Sequence, residues 1–287
     1  MNRTLFAVLA ACAVAAVALG SPAFAGDRLL ATGGAQQLEG AGGGGLVPWA
    51  LIAGYGTNRQ VGGSAFATRV DSGDFDLTSI GAAVGVFDRV ELSFARQRFD
   101  AGAVIPGLKL KMDTFGVKVK VFGDAVYDQD RWWPQVAVGV QHKRNTDMAI
   151  PAAVGARSGS DTDIYLAASK LWLAGFFGHN LLGNLALRAT RANQLGLLGF
   201  GGDRKGSRSL QPELSVAVLL ADNLALGGEY RWKPDNLSAF REDDFRDVFL
   251  AWFPTRNVAV TVAYARLGTI AGKPKQDATY LSLQFTH

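Results

Sequence analysis

Beyond its first 25 residues this chain has no thiol to work with. The only cysteine is Cys12. It lies in what reads as an export signal: Asn2, Arg3 and Thr4 make a short polar start, residues 5–19 are apolar, and Ala23-Phe24-Ala25 is an A-x-A cleavage site before Gly26. Leu9-Ala10-Ala11-Cys12 also resembles a lipobox, and a single membrane anchor is the other alternative for this stretch. If the signal is cleaved after Ala25, disulfides and cysteine–zinc sites are excluded. Stability must then come from a large core or a closed hydrogen-bond network.

Histidine is almost as scarce. His142, His179 and His287 are the only three, no two at metal-ligand spacing, and no Ser–His–acid set stands out. The glycine run at 42–45 lacks the Lys-Ser or Lys-Thr of a phosphate loop. The expectation is a non-enzyme with no cofactor and no metal. After the signal there is no run of 18 apolar residues, which excludes a transmembrane helix. Charge is nearly balanced, 29 Lys and Arg against 25 Asp and Glu. That is too even for a nucleic-acid partner.

What the chain does have is a period of two. Residues 134–141 read PQVAVGVQ, 224–233 read LALGGEYRWK and 258–266 read VAVTVAYAR. Such alternation gives each strand one apolar and one small or polar face. Sustained to the end of a chain, it is the pattern of an antiparallel transmembrane β-barrel with lipid outside and a polar lumen within. A soluble β-sandwich is the alternative.

Fourteen strands are predicted: about 28–38, 47–57, 61–70, 75–86, 89–99, 109–122, 132–144, 161–174, 182–193, 209–220, 224–233, 244–253, 258–267 and 277–285. Tight connections at 57–60, 87–89, 221–223 and 254–257, with short ones at 123–131 and 176–180, alternate with longer ones at 100–108, 145–160, 194–208, 234–243 and 268–276. Bacterial barrels have short periplasmic turns and long extracellular loops. The last strand therefore ends on the periplasmic side, and an even count makes residues 26–46 the first strand. Twelve is the alternative, with that segment plugging the lumen. The domain reading is a signal peptide at 1–25 and an outer-membrane β-barrel at 26–287.

Aromatics gather at strand ends: Phe87, Phe122, Trp132, Trp133, Phe176, Phe177 and Phe253 by the short turns, and Phe99, Trp232 and Phe245 near the other rim. Two such bands suit the membrane interfaces. On upward strands the apolar face turns basic at the top, at Arg96, Arg98, Arg144, Arg191 and Arg266. These are predicted to form a collar toward outer-leaflet lipid phosphates, lipopolysaccharide included. The opposite face carries Glu91, Lys118, Lys120, Arg188, Glu213, Glu229 and Arg231. They read either as a path for a polar solute or as a paired network that holds a narrow lumen shut.

Residues 279–285 alternate and end in Phe285, resembling the C-terminal signal read by the barrel-assembly machinery; Thr286 and His287 follow it here. The stretches 30–34 (LATGG), 43–49 (GGGLVPW), 53–56 (AGYG) and 87–93 (FDRVELS) resemble a proteobacterial domain-of-unknown-function family of exported proteins. The resemblance implies no activity. In architecture the chain also resembles outer-membrane channels of the 12–14-strand class. The expected function is a passive outer-membrane channel or transporter for a small solute. A closed barrel with a structural or lipid-organising role and a lipid-modifying enzyme are the alternatives.

Overall fold

The computed structural model describes residues 28–287, so the signal peptide, its Cys12 and the lipobox lie outside the described residues. A closed antiparallel barrel of twelve strands makes up the wall. Its strands are β3 (Val61–Asp71), β4 (Asp76–Val86), β5 (Val90–Asp100), β6 (Lys109–Phe122), β7 (Gln135–Asn145), β8 (Ser160–Phe176), β9 (His179–Thr190), β10 (Ser209–Ala221), β11 (Leu224–Arg231), β12 (Phe245–Thr255), β13 (Val258–Ile270) and β14 (Lys273–Thr286). The two-residue strands β1 (Ala35–Gln36) and β2 (Gly42–Gly43) pair with each other and not with the wall, inside the lumen.

The period-two pattern explains the wall. In β7 burial alternates at every step: Gln135, Ala137, Gly139, Gln141 and Lys143 face in. Val138, Val140, His142 and Arg144 face out and are exposed. The outer belt includes Leu92, Phe115, Val117, Ile164, Leu185, Leu187, Val216, Val248, Leu250, Val262 and Leu281, all large and exposed. Water would not tolerate so broad an apolar surface on a folded monomer, whereas a hydrocarbon layer would. Among the described residues no helix is long and apolar enough to cross a membrane. Strands of eleven or more residues, which most of these are, match the roughly 9–11 residues that a tilted membrane strand needs.

Closure corrects the fourteen-strand count in favour of the twelve-strand alternative. β14 pairs directly with β3, from Thr279↔Asp71 to Thr286↔Ser64. Every wall edge is thereby satisfied, and no seam remains for the two predicted strands at 28–38 and 47–57. Both of those segments lie inside the barrel, where residues 36–56 are buried throughout. The twelve later strands stand where alternation placed them, within a few residues.

Two connections differ from their expected lengths. Ala271 and Gly272 form a tight turn between β13 and β14, in place of a loop at 268–276. At the other end, residues 123–134 make a longer connection than expected, held by the Asp124 carboxylate, which accepts from the amides of Val126 and Tyr127. The long-loop end still carries the bulk of the irregular chain. It includes α1 (Ala149–Ala153) and the segment 191–208, whose residues 192–202 fold inward and are buried.

The aromatic bands are corrected in part. At the short-turn end Phe87, Phe122, Trp132, Phe176 and Phe177 are exposed, joined by Trp172 and Trp252. Phe253 is buried and faces in. At the other rim Trp232 is exposed, but Phe245 is buried and Phe99 lines an internal cavity. Parity is the reason: each sits on the inward register of its strand, beside Asp247 and Ala251 or Gln97.

Candidate functional site

Residues 28–60 form a plug threaded through the lumen. The plug has little regular structure, so its amides and carbonyls need partners from elsewhere. The wall supplies them with lumen-facing side chains. Glu91 accepts from the amides of Gly42 (3.0 Å) and Ala53 (2.9 Å). Glu229 accepts from Leu46 N at 2.6 Å. Ser169 accepts from Ala50 N at 2.8 Å, and Gln135 Nε2 donates to Ala50 O at 2.6 Å. Lys118 Nζ donates to Gly42 O and Trp49 O, Ser79 and Gln97 both donate to Leu38 O, and Trp49 Nε1 donates to Ser215 Oγ at 3.0 Å.

The glycine run has its reason here. A Cβ on Gly44 would lie 1.9 Å from Glu229 Oε1, and one on Gly42 would lie 2.9 Å from Glu91 Oε2. Only a chain without side chains passes so close to two carboxylates.

Across the middle of the lumen runs a charge network centred on Glu39 of the plug. Arg231 Nη1 lies 2.7 Å from Glu39 Oε2, Arg188 Nη2 3.9 Å from the same oxygen, and Lys143 Nζ contacts Oε1. Lys143 also pairs with Asp163 at 2.6 Å. Arg188 and Arg231 share Glu213 at 2.6 and 3.2 Å. Arg188 further donates to Gln141 at 2.6 Å and lies over the Tyr165 ring. Lys118 and Glu91 form a second pair at 3.0 Å. All of these groups are buried, and buried charges persist only when paired in this way.

Of the predicted lumen residues, Glu91, Lys118, Arg188, Glu213, Glu229 and Arg231 are therefore buried and turned inward. Lys120 sits lower, at the short-turn end, against Asp88 and Asp124, where Arg28 anchors the start of the plug to Asp88 at 2.8 Å. Glu39, Lys143, Asp163 and Asp247 escaped the sequence reading. Lys143, Asp163 and Asp247 stand at inward positions of alternating strands, so parity alone would have found them. Glu39 lies in an aperiodic, glycine-rich stretch that offers no such signal.

On the outside Arg96, Arg98, Arg144 and Arg266 are exposed near the long-loop rim. Arg96 holds Asp113 with two hydrogen bonds, at 2.7 and 2.8 Å, and Arg144 is also paired across strands with Asp113. Arg191 departs from the predicted collar. β9 ends at Thr190, so strand parity no longer applies, and the Arg191 guanidinium turns to the buried Asp161 at 2.6 Å.

Two apolar cavities flank the plug. The one at the long-loop end, about 110 Å³, is lined by Leu38 and Leu46 of the plug and by wall and loop residues such as Phe99, Leu195, Phe245 and Ile270. The one at the short-turn end, about 80 Å³, is lined by Leu30, Trp49, Leu51, Leu182, Phe249 and Phe253. The first is roofed by 191–208, where Gln194 and Leu195 adopt left-handed backbone conformations (φ 46° and 62°). That inward fold is held by Lys143 and Asn145, which donate to the carbonyls of Leu195 and Leu197. Gln194 is tied to Glu242 across the mouth. Lys233, beyond the end of β11, pairs with Glu242 at 3.0 Å and lies 3.4 Å from the centre of the Phe245 ring. Burial pulls its pKa below the ordinary lysine value, and Glu242 opposes that shift.

The barrel is similar to solved outer-membrane proteins. The KdgM porin matches with a TM-score of 0.51 at 10% identity, over 77% of this chain and 98% of the porin. The COG4313 outer membrane channel from Pseudomonas putida F1 matches at 0.43 and 13%, over 84% and 97%. The outer membrane protein Omp33 of Acinetobacter baumannii matches at 0.42 and 11%, over 80% and 98%. The likeness to KdgM shows the fold, that of an outer-membrane porin barrel. No curated protein matches the sequence. The profile of the family described as "Protein of unknown function (DUF3034)" matches residues 32–284, from inside the plug to the last wall strand, and the chain belongs to that family.

Proposed function

We propose that this barrel is a plugged, gated channel that passes a small apolar solute across the outer membrane. One observation carries the reading: two apolar cavities lie at opposite ends of the lumen, with the plug between them. A barrel serving only as a structural element gains nothing from an unfilled apolar chamber, since a void forfeits packing contacts. A path for ions or sugars would be lined by polar groups instead. Here polar side chains serve the plug's backbone and the Glu39 network, while the chambers above and below are lined mainly by apolar side chains, Leu and Phe prominent in both.

Transport on this reading requires the plug to shift. Its attachments suit that role. Apart from the Glu39 network, which has to open for the plug to move, most are hydrogen bonds from wall side chains to plug backbone, worth about 0.5–1.5 kcal/mol net each, or about 1.5–3 where Glu91, Glu229 or Lys118 is the partner. Those to the backbone can be exchanged for water one by one.

The test uses the absence of cysteine from the described residues. Ala50→Cys with Ser169→Cys puts cysteines on a plug residue and a wall residue that are in direct contact, the Ala50 amide donating to Ser169 Oγ at 2.8 Å. In liposomes loaded with a solvatochromic probe, the oxidised double variant should block entry of a small aromatic hydrocarbon, and reduction should restore it. Equal uptake in the oxidised and reduced states would refute a moving plug.

A further inference from the structure

Nearly all buried acids that face the lumen have a cation beside them. Glu91 has Lys118; Glu39, Asp163 and Glu213 share Lys143, Arg188 and Arg231; Asp88 has Arg28 and Lys120; Asp161 has Arg191 and Arg208. Among the described residues two buried acids form no ion pair, Glu229 and Asp247. They are direct cross-strand partners on β11 and β12, a placement that like charges oppose.

Glu229 is otherwise provided for, because it accepts from Leu46 N and from Ser215 Oγ at 2.7 Å. Asp247 is not. Its residue is nine-tenths buried, its Oδ1 has no hydrogen-bond partner, and it lines the long-loop cavity. The rest of that lining is overwhelmingly apolar. A bare buried acceptor costs about 1–3 kcal/mol, and such a group in an apolar pocket is what fixes the orientation of a ligand.

We propose that the long-loop chamber is a binding site for small molecules with an apolar body and one hydrogen-bond-donating group, a hydroxyl or an ammonium. The donor is received by the Asp247 carboxylate on the chamber wall. Size follows from the cavity. At about 110 Å³ it is somewhat smaller than the ~150 Å³ cavity that holds benzene, so the body is at most a short alkyl chain or a single ring that is only partly enclosed. The proposal rests on the channel reading and deepens it, by naming the solute class that the entrance selects.

The test measures binding without transport. The refolded full-length mature protein in detergent is titrated with para-fluorobenzyl alcohol, para-fluorobenzylamine and para-fluorotoluene. Fluorine NMR reads bound fractions against protein-free micelles. The alcohol and the amine should bind at least about tenfold more tightly than fluorotoluene, the size expected of one hydrogen bond to an acidic group. Asp247→Leu should erase that difference and leave fluorotoluene binding in place. Asp247→Asn keeps the shape and one acceptor. It should retain the preference for the alcohol and lose that for the amine, and it decides the matter if the leucine variant does not fold. Equal binding of all three probes, as when a water satisfies Asp247, overturns the proposal. So does a preference that survives Asp247→Leu. Neither result touches the channel reading, which stands or falls on the disulfide-locked plug.

Discussion

Two acids in one lumen, Glu39 and Asp247, are both buried and are held in opposite ways. Glu39 on the plug is met by Arg231, Lys143 and Arg188. Asp247 on the wall has no ion pair among the described residues and keeps one oxygen bare. The difference separates a structural charge from a receptive one. Glu39 is a strut whose cations have no other use for their surplus charge. Asp247 faces space, and its partner has to come from outside the chain.

The largest expected effect comes from breaking the strut. Glu39→Gln leaves three buried cations with two buried carboxylates, and the plug or the whole barrel should lose about 3–5 kcal/mol. Urea unfolding, followed by the heat-dependent gel shift of the folded barrel, reads this directly. An unchanged midpoint would mean that the network is solvated and the lumen is not closed around the plug.

A smaller loss is expected from Gly44→Ala. The added carbon would collide with the Glu229 carboxylate, and overpacking of this kind costs about 1–3 kcal/mol. The plug should loosen while the wall stays intact, so protease should cut within 28–60 in the folded barrel. Resistance equal to that of the parent protein would show that Glu229 is free to move aside.

Asp247→Leu should lower stability least: it should cost nothing and can add up to about 1–3 kcal/mol, because it removes the penalty of an unpartnered buried acceptor and leaves no partner bare. A loss as large as that of Glu39→Gln would turn the comparison around. Asp247 would then be a second strut, with a partner that the lumen supplies.

The legible part of this molecule was its wall. In strands such as β7 and β13 each residue's neighbours in sequence are enough to assign it a face, because successive side chains of a strand point to opposite sides. That is why Glu91, Arg188 and Glu213 were assigned inward and Arg96 and Arg266 outward. The same rule stops at a strand end, as with Arg191, and it places Phe245 and Phe253 on the inward register of their strand. Proximity to a strand end suggested an interface band; parity, read strictly, would have placed both in the lumen.

The plug was not legible in the same way. Residues 28–38 and 47–57 carry apolar residues and glycine without a sustained period, so only an even strand count bears on their place. Fourteen and twelve both satisfy that argument.

The alternating wall, the face of nearly every wall residue and the presence of charges of both signs inside are local properties of the chain, because they follow from strand geometry. The number of strands, the position of the plug and the identity of the unpaired acid are set by the closed fold. Those depend on contacts between residues far apart in the chain: β14 closing on β3, Glu229 reaching Leu46 from 183 residues away, and Glu39 drawing together cations from β7, β9 and β11. No local period encodes such meetings; the closed barrel makes them by leaving one enclosed space for the plug to fill.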